Sequence, residues 1–260
     1  NITFFSIFQH FSAFFKNIQI SVKFRLNSAI FGIPDANPVN ENTIPSPFET
    51  YGIGKYEAEI LCRSYVDLGL DISIVRPRTI LGHGRMGIFS ILFEWIKEGY
   101  NIPVLNNGQN IYQFIHAEDL ANICWLVSQT PKPALYNAGA FNYCTMRETL
   151  EGLIQHAGTG SKIKSLPRGL AELGMNISSL VGLSPLGKYH ALMYGRSLYF
   201  DNEKVKRDLG YTTKYGNIES ICESYDWYLK HKDLQGHQKD RSLHQKKVKQ
   251  KILSLIRFFI

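Results

Sequence analysis

Tyr51 and Lys55 stand four residues apart at the start of a helical pattern, a spacing that puts a phenol and an ammonium on one helical face. A neighbouring positive charge favours a phenolate over a phenol, so such a pair is fit for proton transfer or redox chemistry. The spacing alone is not specific. Tyr228 and Lys232 repeat it in a chain with 14 tyrosines. Context separates the two: Tyr51 follows the turn-rich segment 37–47 and precedes Ala58, Ile60, Leu61 and Tyr65 at core spacing, then the buried-type run Ile72-Ser-Ile-Val-Arg-Pro77. Tyr228 falls at the end of an amphipathic pattern beside a charged tail and reads as a solvated helix terminus.

The elements that must hold Tyr51 and Lys55 alternate in type. Strand-like runs fall at 72–76, 102–105, 113–116, 134–137 and 162–165; helical patterns fall at 51–68, 88–97, 117–128, 146–157, 170–180, 202–209 and 217–230. This alternation predicts an α/β fold. With 44% hydrophobic residues in 260, the chain can bury a core of ordinary size, and it has no apolar run of about 18 residues that would mark a membrane span. Cys62, Cys124, Cys144 and Cys222 form no CxxC pair, a reduced and cytoplasmic pattern. His83 and His116 lack partners at metal-ligand spacing, so no metal is assigned, and His116 reads as a hydrogen-bonding residue at a strand end.

The net charge of +7 is local. Residues 231–260 carry +6 of it and the body only +1. The basic tail ends in Ile252-Leu-Ser-Leu-Ile-Arg-Phe-Phe-Ile260, a pattern open to membrane-surface contact but preferred here as a disordered or non-native extension. No aromatic interleaving or groove-reading motif supports a nucleic-acid partner.

Read in order, Ser28-Ala-Ile-Phe-Gly32, Tyr51 to Lys55 with Glu57-Ala-Glu59, Val75-Arg-Pro77 with Gly82, Gln113-Phe-Ile-His116 with Asp119-Leu120, Tyr136-Asn-Ala-Gly139 and Lys204 to Gly210 together resemble the extended short-chain dehydrogenase/reductase family. The resemblance is to its NAD-dependent sugar epimerase/dehydratase group. It implies a doubly wound, Rossmann-like parallel sheet for NAD or NADP with a smaller C-terminal α/β substrate lobe, and a nucleotide sugar as substrate. Tyr51 would be the general acid/base toward a sugar hydroxyl, and Lys55 would bond the nicotinamide ribose. Pro77, Arg78 and Thr79 would lie against the nicotinamide. A homodimer through the helices starting near Tyr51 and Ile88 is also implied.

Several positions depart from the pattern. The catalytic Ser or Thr position of the family is Asn27 here, with Ser28 one residue late, so either Ser28 substitutes or the hydroxyl is missing. Ser28-Ala29 replaces the Asp-Glu pair of dehydratases, which disfavours dehydration and leaves epimerization or ketone reduction. Tyr112 stands where many relatives carry a diphosphate-binding arginine; Arg85, Arg196 and Lys188 are the cationic replacements, so Arg85, Tyr112 and Arg196 are the substrate-side candidates. Nothing in residues 1–50 matches the glycine-rich phosphate loop, and fifty residues before Tyr51 are fewer than a complete dinucleotide-binding half requires. The literal Gly82-His-Gly-Arg-Met-Gly87 comes after the Tyr/Lys block and is read as a substrate-facing loop.

The expected organisation is an atypical arm at 1–26, a partial dinucleotide-binding domain at 27–80 and 113–137, a substrate lobe at 81–112 and 138–230, and the basic tail at 231–260. The incomplete Rossmann-like half suggests a truncated or rearranged gene product, or an authentic divergent arm that packs aromatic residues onto the sheet. Two functions follow. One is an epimerase or reductase using Tyr51 and Lys55; the other is a catalytically silent fragment or binding module that keeps the substrate lobe.

Overall fold

The computed structural model describes residues 22–25, 28–85, 89–166 and 195–231. Its elements in chain order are β1 (Val22–Arg25), a 3-10 turn (Ser28–Phe31), α1 (Thr50–Asp67), β2 (Ile72–Pro77), β3 (Thr79–Leu81), α2 (Phe89–Lys97), β4 (Ile102–Leu105), β5 (Phe114–His116), α3 (Ala117–Ser128), β6 (Leu135–Ala138), α4 (Met146–Ala157), β7 (Ile163–Leu166), α5 (Glu203–Leu209) and α6 (Asn217–His231). The helices expected at 117–128 and 146–157 have those bounds, and the other expected elements among the described residues agree to within two residues. The helix expected at 170–180 and Lys188 lie outside the described residues, as does the basic tail.

The strands are parallel throughout, the arrangement that helical crossovers impose. β2 is buried along its length, which is what a central strand covered on both faces requires. It pairs with β1 on one side, Ile72 opposite Val22, and with β6 on the other, Ile74 opposite Leu135. β3 continues from β2 and pairs with β5, and β4 pairs with β7. Two of these strands escaped the sequence pattern. β1 lies inside the segment set apart as an arm, and β3 is too short for its period to be read.

Local signals explain the boundaries of α4. Thr145 accepts the Glu148 amide at 3.2 Å while Glu148 accepts the Thr145 amide at 2.8 Å, a reciprocal capping box, and Gly158 closes the far end in the left-handed conformation. Val75, Ile115, Leu120, Ile123, Val127 and Val205 form one core between the sheet and α3. A second core joins α2, β4, α4 and α6 through Phe93, Ile96, Val104, Leu153 and Tyr225. Tyr228 belongs to this second core. It is buried, and its hydroxyl donates to Glu94, so burial and that carboxylate both push the phenol up. The reading of Tyr228 as a solvated helix end is therefore corrected: its ring occupies the inward face of α6.

α1 meets the 3-10 turn backbone to backbone at Gly52. A Cβ on Gly52 would lie 2.6 Å from the Ala29 carbonyl oxygen, so the helix that carries Tyr51 and Lys55 can sit this close only with glycine there. Gly52→Ala is expected to lower the unfolding free energy by about 1–3 kcal/mol through overpacking, seen as a lower urea midpoint with an unchanged slope. Gly32, at the end of the turn, combines a positive φ of 55° with a Cβ position 2.3 Å from the Ser46 carbonyl. Among the described residues no helix is long and apolar enough to cross a membrane.

Candidate active site

The first turn of α1 presents Tyr51, 48% exposed, with Lys55 one turn on. The Lys55 Nζ lies 5.6 Å from the centroid of the Tyr51 ring, so the two sit on one helical face and the ammonium is held near the phenol. Gly52 between them docks the turn against Ser28–Phe31, and this brings the catalytic and hydroxyl candidates to the same corner of the fold.

Behind that corner lie two buried arginines, Arg76 on β2 and Arg78 just past its end. Arg76 is 1% exposed and Glu59, on α1, is fully buried; Arg76 Nε and Nη2 meet the two Glu59 carboxylate oxygens at 2.9 and 2.5 Å. Arg63 joins from the solvent side at 2.8 Å. Burial alone would raise the Glu59 carboxyl, but the hydrogen bonds and charge of Arg76, with Arg63 behind, outweigh it and hold the group below the ordinary carboxylate range. This clamp fixes α1 on β2. Sequence reasoning quoted both residues inside motifs without pairing them, although an arginine inside an otherwise apolar strand signals a buried partner.

The cofactor candidates Pro77, Arg78 and Thr79 form the exit of β2. The Arg78 amide donates to the Ala138 carbonyl at 2.8 Å, and its guanidinium Nη1 donates to Ser28 Oγ at 2.7 Å. Ser28 is thus buried and engaged by Arg78. The Thr79 and Tyr112 hydroxyls are 2.8 Å apart, and the Arg78 guanidinium lies 4.8 Å from the Tyr112 ring centroid and 5.6 Å from that of Phe200. Ser28, Arg78, Thr79 and Tyr112 therefore form one cluster. Arg196 enters the same region through its main chain, its carbonyl accepting from Asn110 Nδ2 at 3.3 Å. Arg85 is half-buried in the loop after β3. That loop commits its first glycine to the protein, because the Gly82 amide donates to Ser224 Oγ at 2.9 Å; an amide so used does not cradle a phosphate.

A second polar group stands at the end of β5. His116 is buried and caps α3, its Nδ1 accepting the Glu118 amide at 3.2 Å. That bond places the ring proton on Nε2, which faces Glu223 on α6. Glu223 also meets His83 at 2.9 Å, and Tyr215 packs on the His116 ring with centroids 3.9 Å apart. His116 is the strand-end hydrogen-bonding residue that was expected. Asp119, fully buried in the first turn of α3, accepts from Tyr211 Oη at 2.7 Å and from the Lys214 and Tyr215 amides at 2.8 and 3.0 Å. Burial and the bond to Asp119 push the Tyr211 phenol up to about 12. Asn217 closes the flank of β5 turned away from β3: its Oδ1 accepts the Phe114 amide at 3.0 Å and its Nδ2 donates to the Tyr112 carbonyl at 2.9 Å. None of the four cysteines is in a disulfide.

Residues 16–139 match the model of the NAD dependent epimerase/dehydratase family. The uncharacterized protein y4nG of Sinorhizobium fredii (strain NBRC 101917 / NGR234) is 48% identical over 231 residues, 88% of this chain and 58% of that protein. Among solved structures, the UDP-glucuronic acid 4-epimerase from Bacillus cereus in complex with NAD superimposes with a TM-score of 0.64 at 17% identity, over 85% of this chain and 66% of that one. The dTDP-glucose 4,6-dehydratase from Bacillus anthracis in complex with NAD gives 0.63 at 18%, over 86% and 66%. The chain shares the fold of these solved structures. It spans between 48% and 59% of the length of the curated relatives it matches. The match to the epimerase/dehydratase family model begins at residue 16, ahead of β1, so sequence that the reading assigned to the arm carries family signal.

Proposed function

We propose that the chain serves a nicotinamide-dependent epimerase or reductase reaction on a nucleotide-linked sugar, with Tyr51 as the proton-transferring group. The observation that carries this reading is the Lys55 ammonium held 5.6 Å from the Tyr51 ring centroid on a half-exposed first turn of α1. Tyr51 removes the proton from a sugar hydroxyl as its carbon is oxidised and returns it on reduction. Lys55 stabilises negative charge on the phenol oxygen and orients a ribose hydroxyl. NAD or NADP, when bound, supplies the hydride exchange that the side chains cannot. The residues that fit its nicotinamide end are Tyr51, Lys55 and the β2 exit Pro77, Arg78 and Thr79. Ser28, whose hydroxyl accepts from Arg78, acts as a third hydroxyl of the site. Arg85, Tyr112 and Arg196 serve the substrate side. The NAD-complexed structures of like fold support the cofactor, and their sugar substrates support the substrate class.

The same fold supports a homodimer. α1 leaves Ile53, Ile60 and Leu61 between 42% and 57% exposed, an apolar stripe suited to a second copy, whereas α2 has Ile91, Phe93, Trp95 and Ile96 buried in the core. A reduced, cytoplasmic setting is part of the same reading, and the scatter of four cysteines without a CxxC pair supports it.

The engagement of the buried Ser28 hydroxyl by Arg78 favours a second reading, a catalytically silent binding module. Calorimetric titration of the 260-residue chain with NAD and NADP decides between them. Saturable binding of either cofactor is the expected result, and binding of neither leaves the silent module.

A further inference from the structure

Arg76 and Arg78 lie two residues apart at the exit of β2, each 1% exposed, and they differ in what fills the same edge of the guanidinium. In Arg76, Nε and Nη2 hold the two carboxylate oxygens of Glu59 side by side. In Arg78, Nη1 is taken by Ser28, while Nε and Nη2 are buried and make no hydrogen bond among the described residues. The rings of Tyr112 and Phe200 offer π faces to this cation but no oxygen. An arginine cannot shed its charge, and enclosing that charge is costly until an anion pairs with it. Arg76 has its anion; among the described residues Arg78 has no ion pair.

We infer that the Nε/Nη2 edge of Arg78 is an anion ligand of the substrate site. It takes two oxygens of one substrate oxyanion, a carboxylate or a phosphate, side-on as Arg76 takes Glu59. Planar bidentate pairing of this kind is the strong form of a charge-assisted hydrogen bond. Ser28 fixes the guanidinium plane by holding the opposite nitrogen, which makes Ser28 a positioning residue for Arg78. Of the two rings that enclose the edge, Phe200 is almost fully buried and Tyr112 only partly so; Tyr112 is the side chain that yields to an arriving oxyanion. The inference rests on the preceding reading of a nucleotide-linked sugar as substrate and adds the group by which that substrate is gripped.

The test is calorimetric titration of the intact chain and its Arg78→Met and Arg78→Lys variants with UDP-glucose, which carries a diphosphate, and UDP-glucuronate, which carries a diphosphate and a carboxylate. Arg78→Met is expected to weaken binding by about tenfold or more. A loss confined to UDP-glucuronate assigns the carboxylate, and a loss for both sugars assigns the phosphate. Arg78→Lys keeps the charge but not the fork, so it does not restore the affinity, and it carries the test alone if Arg78→Met does not fold. Wild-type affinity for both sugars in a folded variant overturns the inference while leaving the Tyr51 reading intact. Failure of the unaltered chain to bind either sugar overturns the substrate reading and the inference together.

Discussion

Tyr51→Phe is expected to lower turnover of a nucleotide sugar by about 10²–10⁴-fold, the usual contribution of a positioned acid/base, while leaving cofactor affinity near that of the unaltered chain. The phenol is half exposed and makes no part of the core, so its hydroxyl can be removed without disturbing how α1 packs. The measurement is single-turnover nicotinamide absorbance alongside a cofactor titration. A variant that turns over at the original rate sinks the assignment. Lys55→Met tests the other half of the pair and should weaken cofactor binding as well as turnover, because the ammonium is asked both to orient the ribose and to stabilise the phenolate. That split between the two variants distinguishes a proton-transfer residue from one that simply holds the helix.

The largest stability effect is expected at Glu59. Glu59→Ala strands Arg76 as an unpaired cation 1% exposed, and the expected loss is about 3–5 kcal/mol, a large fraction of the stability of an ordinary domain. Replacing both partners, as in Glu59→Leu with Arg76→Met, should recover most of that loss, since the expensive state is the half-pair and not the absence of the pair. Urea denaturation of the three variants measures both. The pair also sets an acid limit. Because the folded carboxyl lies below its unfolded value of 4.5, the pair's contribution is present above about pH 4.5 and is lost as pH falls through the lower folded value. The double variant should lose less stability across that window than the unaltered chain.

The framework of the fold was legible because its periodicities are clean. α3 and α4 begin at caps and carry apolar residues on one face, and β2 is an unbroken buried run. β1 has four residues and β3 three, too few for an alternating period to be read. In the site, Tyr51 and Lys55 could be found because both belong to one helix, where sequence spacing is spatial spacing. The clamps could not be found in this way. Glu59 and Arg76 are 17 positions apart, Ser28 and Arg78 are 50, and His116 and Glu223 are 107; each depends on a crossover that brings separate elements together. The misread Tyr228 shows the same limit. A charged tail follows it in sequence, but in space its ring packs on Phe93 and its hydroxyl donates to Glu94.

Asn217 has a consequence beyond the architecture of the site. By holding the amide of Phe114 and the carbonyl of Tyr112, while the Ala140 amide takes the Phe114 carbonyl, it meets backbone groups that a further strand would otherwise have to meet. Phe114, Ile115 and His116 are buried, so the same groups left open would be shut away from water at a cost of about 1–3 kcal/mol each. One carboxamide, reaching across from α6, spares the fold that strand.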